Sequence, residues 1–165
     1  MATTHKLIEA KTLDTAVASI EFTSIPQIYA NLKVVFSVRN TTNENGILLS
    51  LNGSSANFTN SRAYGDGSGA YAFSGSDLFA YLVRNDHTAN TFGNTEIYIP
   101  NYTSSAYKSI LIDNANERNS TTIEMALVAG LWSNTANITS IGLTSTGAGA
   151  LAVNSTFYLY GIKNS

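Results

Sequence analysis

Apolar and polar residues alternate at every second position, and this feature most limits what the chain can fold into. Leu32, Val34, Phe36 and Val38 fall on one side of an extended segment, with Lys33, Ser37 and Arg39 on the other. Successive side chains of a strand point to opposite faces, so such a period leaves one face for a core and one for solvent. The same period returns at Ile20 and Phe22 against Ser19, Glu21 and Thr23, and at Ile47, Leu49 and Leu51. It is also clean over Ile123, Met125, Leu127, Ala129 and Leu131. Helix formers occupy Glu124 to Leu131, but the alternation and the β-rich surroundings assign that segment to a strand.

Turn chemistry separates these runs. Asn45-Gly46 and Asn52-Gly53 are strong hairpin signals, and Pro26 ends a ladder because it has no N–H to donate. From Gly130 to Lys163 the chain reads as successive short strands, with Ile138, Ile141 and Leu143 on one apolar side. Phe157 and Leu159 oppose Tyr158 and Tyr160 in the last strand, and Gly147-Ala148-Gly149-Ala150 forms a reversal. Further strands are expected over residues 57–64, 78–83, 92–99 and 107–113. Ile110 and Ile112 oppose Leu111, apolar on both sides, which predicts a central strand. Residues 65–77, GDGSGAYAFSGSD, read as the longest irregular stretch, and 113–119 as a polar turn. About nine or ten short strands at hairpin spacing predict an all-β antiparallel β-sandwich, jelly-roll-like.

Residues 1–15 read as a short extended N-terminal arm, with Leu7 and Ile8 in one short strand, and residues 16–165 as the sandwich domain. At 165 residues and 17.6 kDa one domain is expected. Charged residues make up only 12%, so polarity rests on Asn, Ser and Thr, and the net charge of −2 offers no basic patch for nucleic acid. No cysteine is present, which excludes disulfides and thiolate metal sites. No run is long enough to span a bilayer and the N-terminus lacks a signal-peptide core, so synthesis in a cytoplasm and release by lysis are expected. The Asn-x-Ser/Thr triplets at Asn57, Asn101, Asn119, Asn137 and Asn154 then read as a product of composition.

Reactive chemistry finds little support. A hydrolytic triad would need His5 or His87; the first lies in the arm, and Asp86-His87 reads as a solvated pair in a polar turn. The acids Asp66, Asp77, Asp86, Glu96, Asp113, Glu117 and Glu124 show no spacing that pairs them for glycoside hydrolysis. Asp66-Gly67-Ser68-Gly69 lacks the further acids of a calcium loop and reads as a glycine turn. No cofactor is expected. Trp132 reads as a core or rim anchor. Tyr64 and Tyr71, with Asp66 and Phe73, are candidates for a loop that contacts a glycan or a protein.

The segments Ile20–Pro26, Glu96–Tyr102, Gly130–Ile141 and Phe157–Lys163, above all Gly-Leu-Trp and Leu-Tyr-Gly-Ile, resemble small virion structural proteins of tailed bacteriophages of aquatic bacteria. The resemblance runs from about Leu7 to Lys163. It implies a non-enzymatic β-sandwich on the virion, with no catalytic residues to carry over. The expectation that follows is a capsid decoration, or cement, protein that binds the major capsid protein and copies of itself as a homotrimer. His5, Lys6, Leu7 and Ile8 of the arm would make the docking contacts, without nucleic acid or membrane. The rival expectation is a tail-fibre or receptor-binding module that recognises host glycans through Tyr64, Asp66, Tyr71 and Phe73.

Overall fold

The computed structural model describes residues 4–117, 119 and 123–163. Twelve β-strands and no helix are present among the described residues. In chain order they are β1 (His5–Thr12), β2 (Ser19–Phe22), β3 (Asn31–Ser37), β4 (Gly46–Leu51), β5 (Phe58–Gly65) and β6 (Ala70–Gly75). They continue with β7 (Phe79–Tyr81), β8 (Asn94–Pro100), β9 (Lys108–Asn116), β10 (Glu124–Trp132), β11 (Ile141–Ser145) and β12 (Thr156–Ile162). An eight-stranded sheet, β1-β12-β3-β8-β9-β10-β5-β6, faces a four-stranded one, β2-β11-β4-β7, and every ladder is antiparallel.

The chain crosses repeatedly between the sheets, which makes the sandwich jelly-roll-like. Without β5, β6, β9 and β10, the sheets would reduce to β1-β12-β3-β8 over β2-β11-β4-β7. The two added hairpins pair with each other through β10 and β5, so they extend one end of the large sheet as a wing. Among the described residues, the short edge strand β7 lies opposite this wing, against β9 and β10.

The core holds the alternating residues of the sequence. Leu32, Val34, Phe36, Leu49, Leu51, Ile97, Ile99, Ile141, Leu143, Phe157 and Leu159 are all buried between the sheets. Two glycines permit close approach inside it. A side chain at Gly161 would strike the ring of Tyr29, its Cβ only 2.3 Å from Cδ2, and one at Gly130 would come to 2.3 Å from Leu78 Cδ2.

Left-handed turns fall largely to asparagine: Asn52, Asn57, Asn90, Asn101, Asn119 and Asn154 all have φ between 50° and 68°. Its short amide tolerates this region better than most side chains do. Five of these residues, Asn52, Asn57, Asn101, Asn119 and Asn154, open Asn-x-Ser/Thr triplets, so those triplets coincide with turn geometry.

The stretch read as an arm is extended, and His5–Thr12 lies along β12 as an edge strand with a bulge between Leu7 and Glu9. Three local expectations need correction. The stretch 65–77 is not irregular throughout, because Ala70–Gly75 forms β6 and pairs with β5. The supposed turn at 113–119 is strand as far as Asn116. His87 is not solvated: it is 8% exposed, with its Nε2 3.0 Å from the Arg84 side-chain Nε and its Nδ1 3.3 Å from the Arg84 backbone nitrogen, and the neutral ring accepts a hydrogen bond at one of these two nitrogens.

Candidate interaction surface

In the wing the usual polarity of a strand is inverted. On β10 the side chains facing the sandwich are Glu124, Ala126, Val128, Gly130 and Trp132, all buried. The apolar set Met125, Leu127, Ala129 and Leu131 points away from it, with Met125 56% and Leu127 52% exposed. Neighbouring β9 does so only in part: Lys108, Asn114 and Asn116 are buried with Ile110 and Ile112, while Leu111, 43% exposed, points outward with Ser109, Asp113 and Ala115. β9 is central in its sheet, as read, but only one of its faces is covered.

The inward polar residues have a physical reason. The wing faces the backbone of an edge strand, whose outer carbonyls need donors. Asn60 of β5 donates through Nδ2 to the Asp77 carbonyl at 2.7 Å, and Asn114 of β9 donates to the Tyr81 carbonyl at 2.7 Å and to Thr95 Oγ1 at 2.7 Å. The two amides thus hold the segment carrying β7 from either end. At the far end of the hairpin, the buried Lys108 ammonium donates to the carbonyls of Ser104 (2.8 Å) and Ala106 (2.6 Å). Burial pushes its pKa below the usual lysine value.

The outward apolar residues have no such partner within the chain. Cross-strand register places Leu127 beside Ala63, Met125 beside Gly65, and Ala63 beside Ala72. Bulky side chains on β9 and β10 therefore border small ones on β5 and β6. Two adjoining shallow grooves follow this border, one along Ala63, Ala70, Met125 and Leu127, the other along Ala63, Ala72, Leu111 and Leu127. Their lining is suited to contact rather than proton transfer. Asp113 sits at the border toward β8, opposite Glu96, which is paired with Lys33 at 2.7 Å.

The other candidate residues fall into two groups. Tyr64, Tyr71 and Phe73 share a circuit of rings at the wing's edge, on the face toward the small sheet but beyond β7. Tyr64 stacks on Tyr81 (4.6 Å) and lies 5.9 Å from Tyr71, which is 6.4 Å from Phe73. Phe79 meets Tyr81 edge-on at 4.9 Å, and the Arg62 guanidinium lies over both Phe79 (4.9 Å) and Phe73 (5.9 Å). Tyr71 and Phe73 are about half exposed. Asp66 is apart from this circuit as a turn residue: its Oδ1 accepts from the N–H groups of Ser68 (2.8 Å) and Gly69 (2.9 Å) in the β5–β6 connection.

His5, Lys6, Leu7 and Ile8 lie together on β1. The first three are exposed, and Ile8 at the bulge packs partly against the core. Leu7 is on the outer face of the large sheet, beside Tyr160, at the opposite edge from the wing. Trp132 is an anchor of the core, buried against Phe58 at 6.5 Å. No three His, Asp or Glu side chains among the described residues gather as a metal site.

Sequence reading missed Leu111, Met125, Leu127 and Leu131 as a surface. The signal was present in Glu124, Asn114 and Lys108, polar residues that alternate with them and need an internal partner. Neither protein-family models nor curated proteins give a match to this chain.

Proposed function

We propose that this chain is a non-enzymatic structural protein that works by adhesion. In the setting implied by its sequence resemblance it is a capsid decoration protein, made in the host cytoplasm and held on the virion surface. The observation that carries the adhesive part is the outward apolar set Leu111, Met125, Leu127 and Leu131. Exposed apolar surface gathered on one sheet face marks a place for another protein surface. The virion setting rests on the resemblance. A protein that binds an assembled major-capsid lattice but not its dissociated form stabilises the lattice by mass action.

The test is co-sedimentation of the purified chain with capsids, alongside Leu127→Lys and Leu7→Glu variants. Loss of binding with a retained β-type circular dichroism spectrum supports the reading. Wild-type protein that never sediments with particles rejects the capsid assignment. Deleting residues 1–15 is the poorer test, because it would also strip β1 from β12.

A second reading has its own observation. The half-exposed Tyr71 and Phe73, backed by Tyr64 and Arg62, form an aromatic rim of the kind on which a sugar ring can stack. Under that reading the chain is a fibre or receptor-binding module for host glycans. Specific binding on a glycan array, lost in Tyr71→Ala and Phe73→Ala, would establish it.

A further inference from the structure

Arg62 of β5 carries a charge that the chain leaves short of acceptors. Its guanidinium packs on the rings of Phe79 (4.9 Å) and Phe73 (5.9 Å), which hold the cation in place but accept no ordinary hydrogen bond. Its nearest acid is Asp77, 3.8 Å from Nη2, and that carboxylate oxygen accepts instead from Asn60 Nδ2 at 3.0 Å. No N–H of Arg62 has an acceptor within hydrogen-bond distance among the described residues, and its Nε is buried. The other two described arginines differ: Arg39 donates to four carbonyls, and Arg84 donates to Asp86. The Arg62 side chain is only 16% exposed, so its charge is largely stripped of water and lacks a partner to replace it.

The neighbours of Arg62 narrow the chemistry of a ligand. Cross-strand register sets Phe73 opposite Arg62 and Tyr71 opposite Tyr64, so the four side chains share one face. Tyr71 and Phe73 are 45% and 47% exposed. The β5–β6 turn supplies no acid to the cation, because Asp66 Oδ1 is taken by the N–H groups of Ser68 and Gly69. Half-exposed rings suit the apolar C–H face of a sugar, and a planar guanidinium beside them suits the paired oxygens of an acid. We infer that this rim binds an acidic glycan, the sugar ring on Tyr71 and Phe73 and its carboxylate or sulfate on Arg62. A sugar carries the flat face and the acid on one rigid unit, which matches rings and cation side by side. An acidic peptide carries its charge on a flexible stem, and ordering that stem costs entropy.

This inference rests on the glycan reading and names the class of glycan. The experiment is titration calorimetry of the full chain with an oligogalacturonate, a sulfated galactan oligosaccharide and a neutral malto-oligosaccharide, and with polyglutamate as the acidic peptide. At least one acidic sugar should bind about tenfold or more tightly than the neutral one, and that margin should shrink as salt rises. Binding by only one of the two acidic sugars names the substituent. Arg62→Met should remove the margin with unchanged circular dichroism. Asp77→Asn keeps the oxygen that Asn60 bonds and removes the competing charge, so it should tighten acidic binding. If Arg62→Met loses its β-type spectrum, Asp77→Asn decides alone. A margin that survives Arg62→Met, an Asp77→Asn variant no tighter than wild type, or polyglutamate binding as well as the sugars overturns the inference. If the neutral sugar binds as well as the acidic ones and Tyr71→Ala abolishes all three, the acidic class fails and the glycan reading stands. If no sugar binds, both fail.

Discussion

Lys108 and Trp132 face each other across the β9–β10 ladder, both buried, with the ammonium 6.0 Å from the indole centroid. The same ammonium holds the carbonyls of Ser104 and Ala106, so one cation fixes both the loop before β9 and the ring on β10. Lys108→Met keeps the length and loses the donors. It should lower stability by about 1–3 kcal/mol, the range for losing hydrogen bonds made by a charged group, as read from urea midpoints. The pH dependence has a definite sign. Burial lowers the folded pKa of Lys108 below 10.5, so between that value and 10.5 the unfolded chain binds more protons and stability rises with pH. The methionine variant should lack that contribution.

Tyr102 acts in the opposite direction. Its buried hydroxyl donates to the Pro26 carbonyl, and desolvation raises its pKa above 10.0. Its contribution is complete below pH 10.0 and is lost as pH climbs through the folded value, because the unfolded phenol ionises first. Tyr81, raised by burial in the same way, adds to the loss. Tyr102→Phe should cost about 1 kcal/mol at neutral pH and make the alkaline decline shallower. Denaturant titrations from about pH 8 to 11 would show it, and an unchanged slope would count against the burial account.

Gly130 is a contact position. Ala at that site must displace Leu78, whose Cδ2 would lie 2.3 Å from the new carbon. The expected cost is about 1–3 kcal/mol from overpacking. Leu78→Ala in the same chain should recover part of it, so a double-mutant cycle with a coupling near zero would contradict the packing argument.

Arg39 organises the segment before β8. Its guanidinium donates to the carbonyls of Asn85 (2.9 Å), His87 (3.0 Å), Thr88 (2.8 Å) and Thr91 (3.2 Å). A lysine cannot reproduce that fork. Arg39→Lys should speed amide exchange across residues 85–92 while leaving the strands' protection intact. Uniformly faster exchange over the whole chain would assign Arg39 a global role instead.

Local alternation reports the fold well wherever a strand packs side chain to side chain. Leu32 to Val38, Ile47 to Leu51 and Ile97 to Ile99 all sit as their period implies, and so does the final strand with Phe157 and Leu159 inside. It misleads in the wing at Asn60 and Asn114, where the inner neighbour is a backbone carbonyl. Asn114 is buried because of the Tyr81 carbonyl 33 residues away, a pairing absent from any short window. β6 escaped notice because Ala70–Gly75 is a short edge strand flanked by glycine and serine, where only Tyr71 and Phe73 carry the period. His87 was misjudged because its burial depends on tertiary packing around the segment that Arg39 gathers.

The paired Lys33 and Glu96 have a consequence for the environments this protein tolerates. With Lys33 and Glu96 paired and leucine, methionine and alanine beyond them, the exposed Asp113 is the main charge that this part of the outer face leaves for dissolved ions to screen. Contacts made there should survive transfer from dilute buffer to brine, and strongly hydrated salts such as sulfate should tighten them. Adhesion by this face would be indifferent to how fresh or saline the surrounding water is.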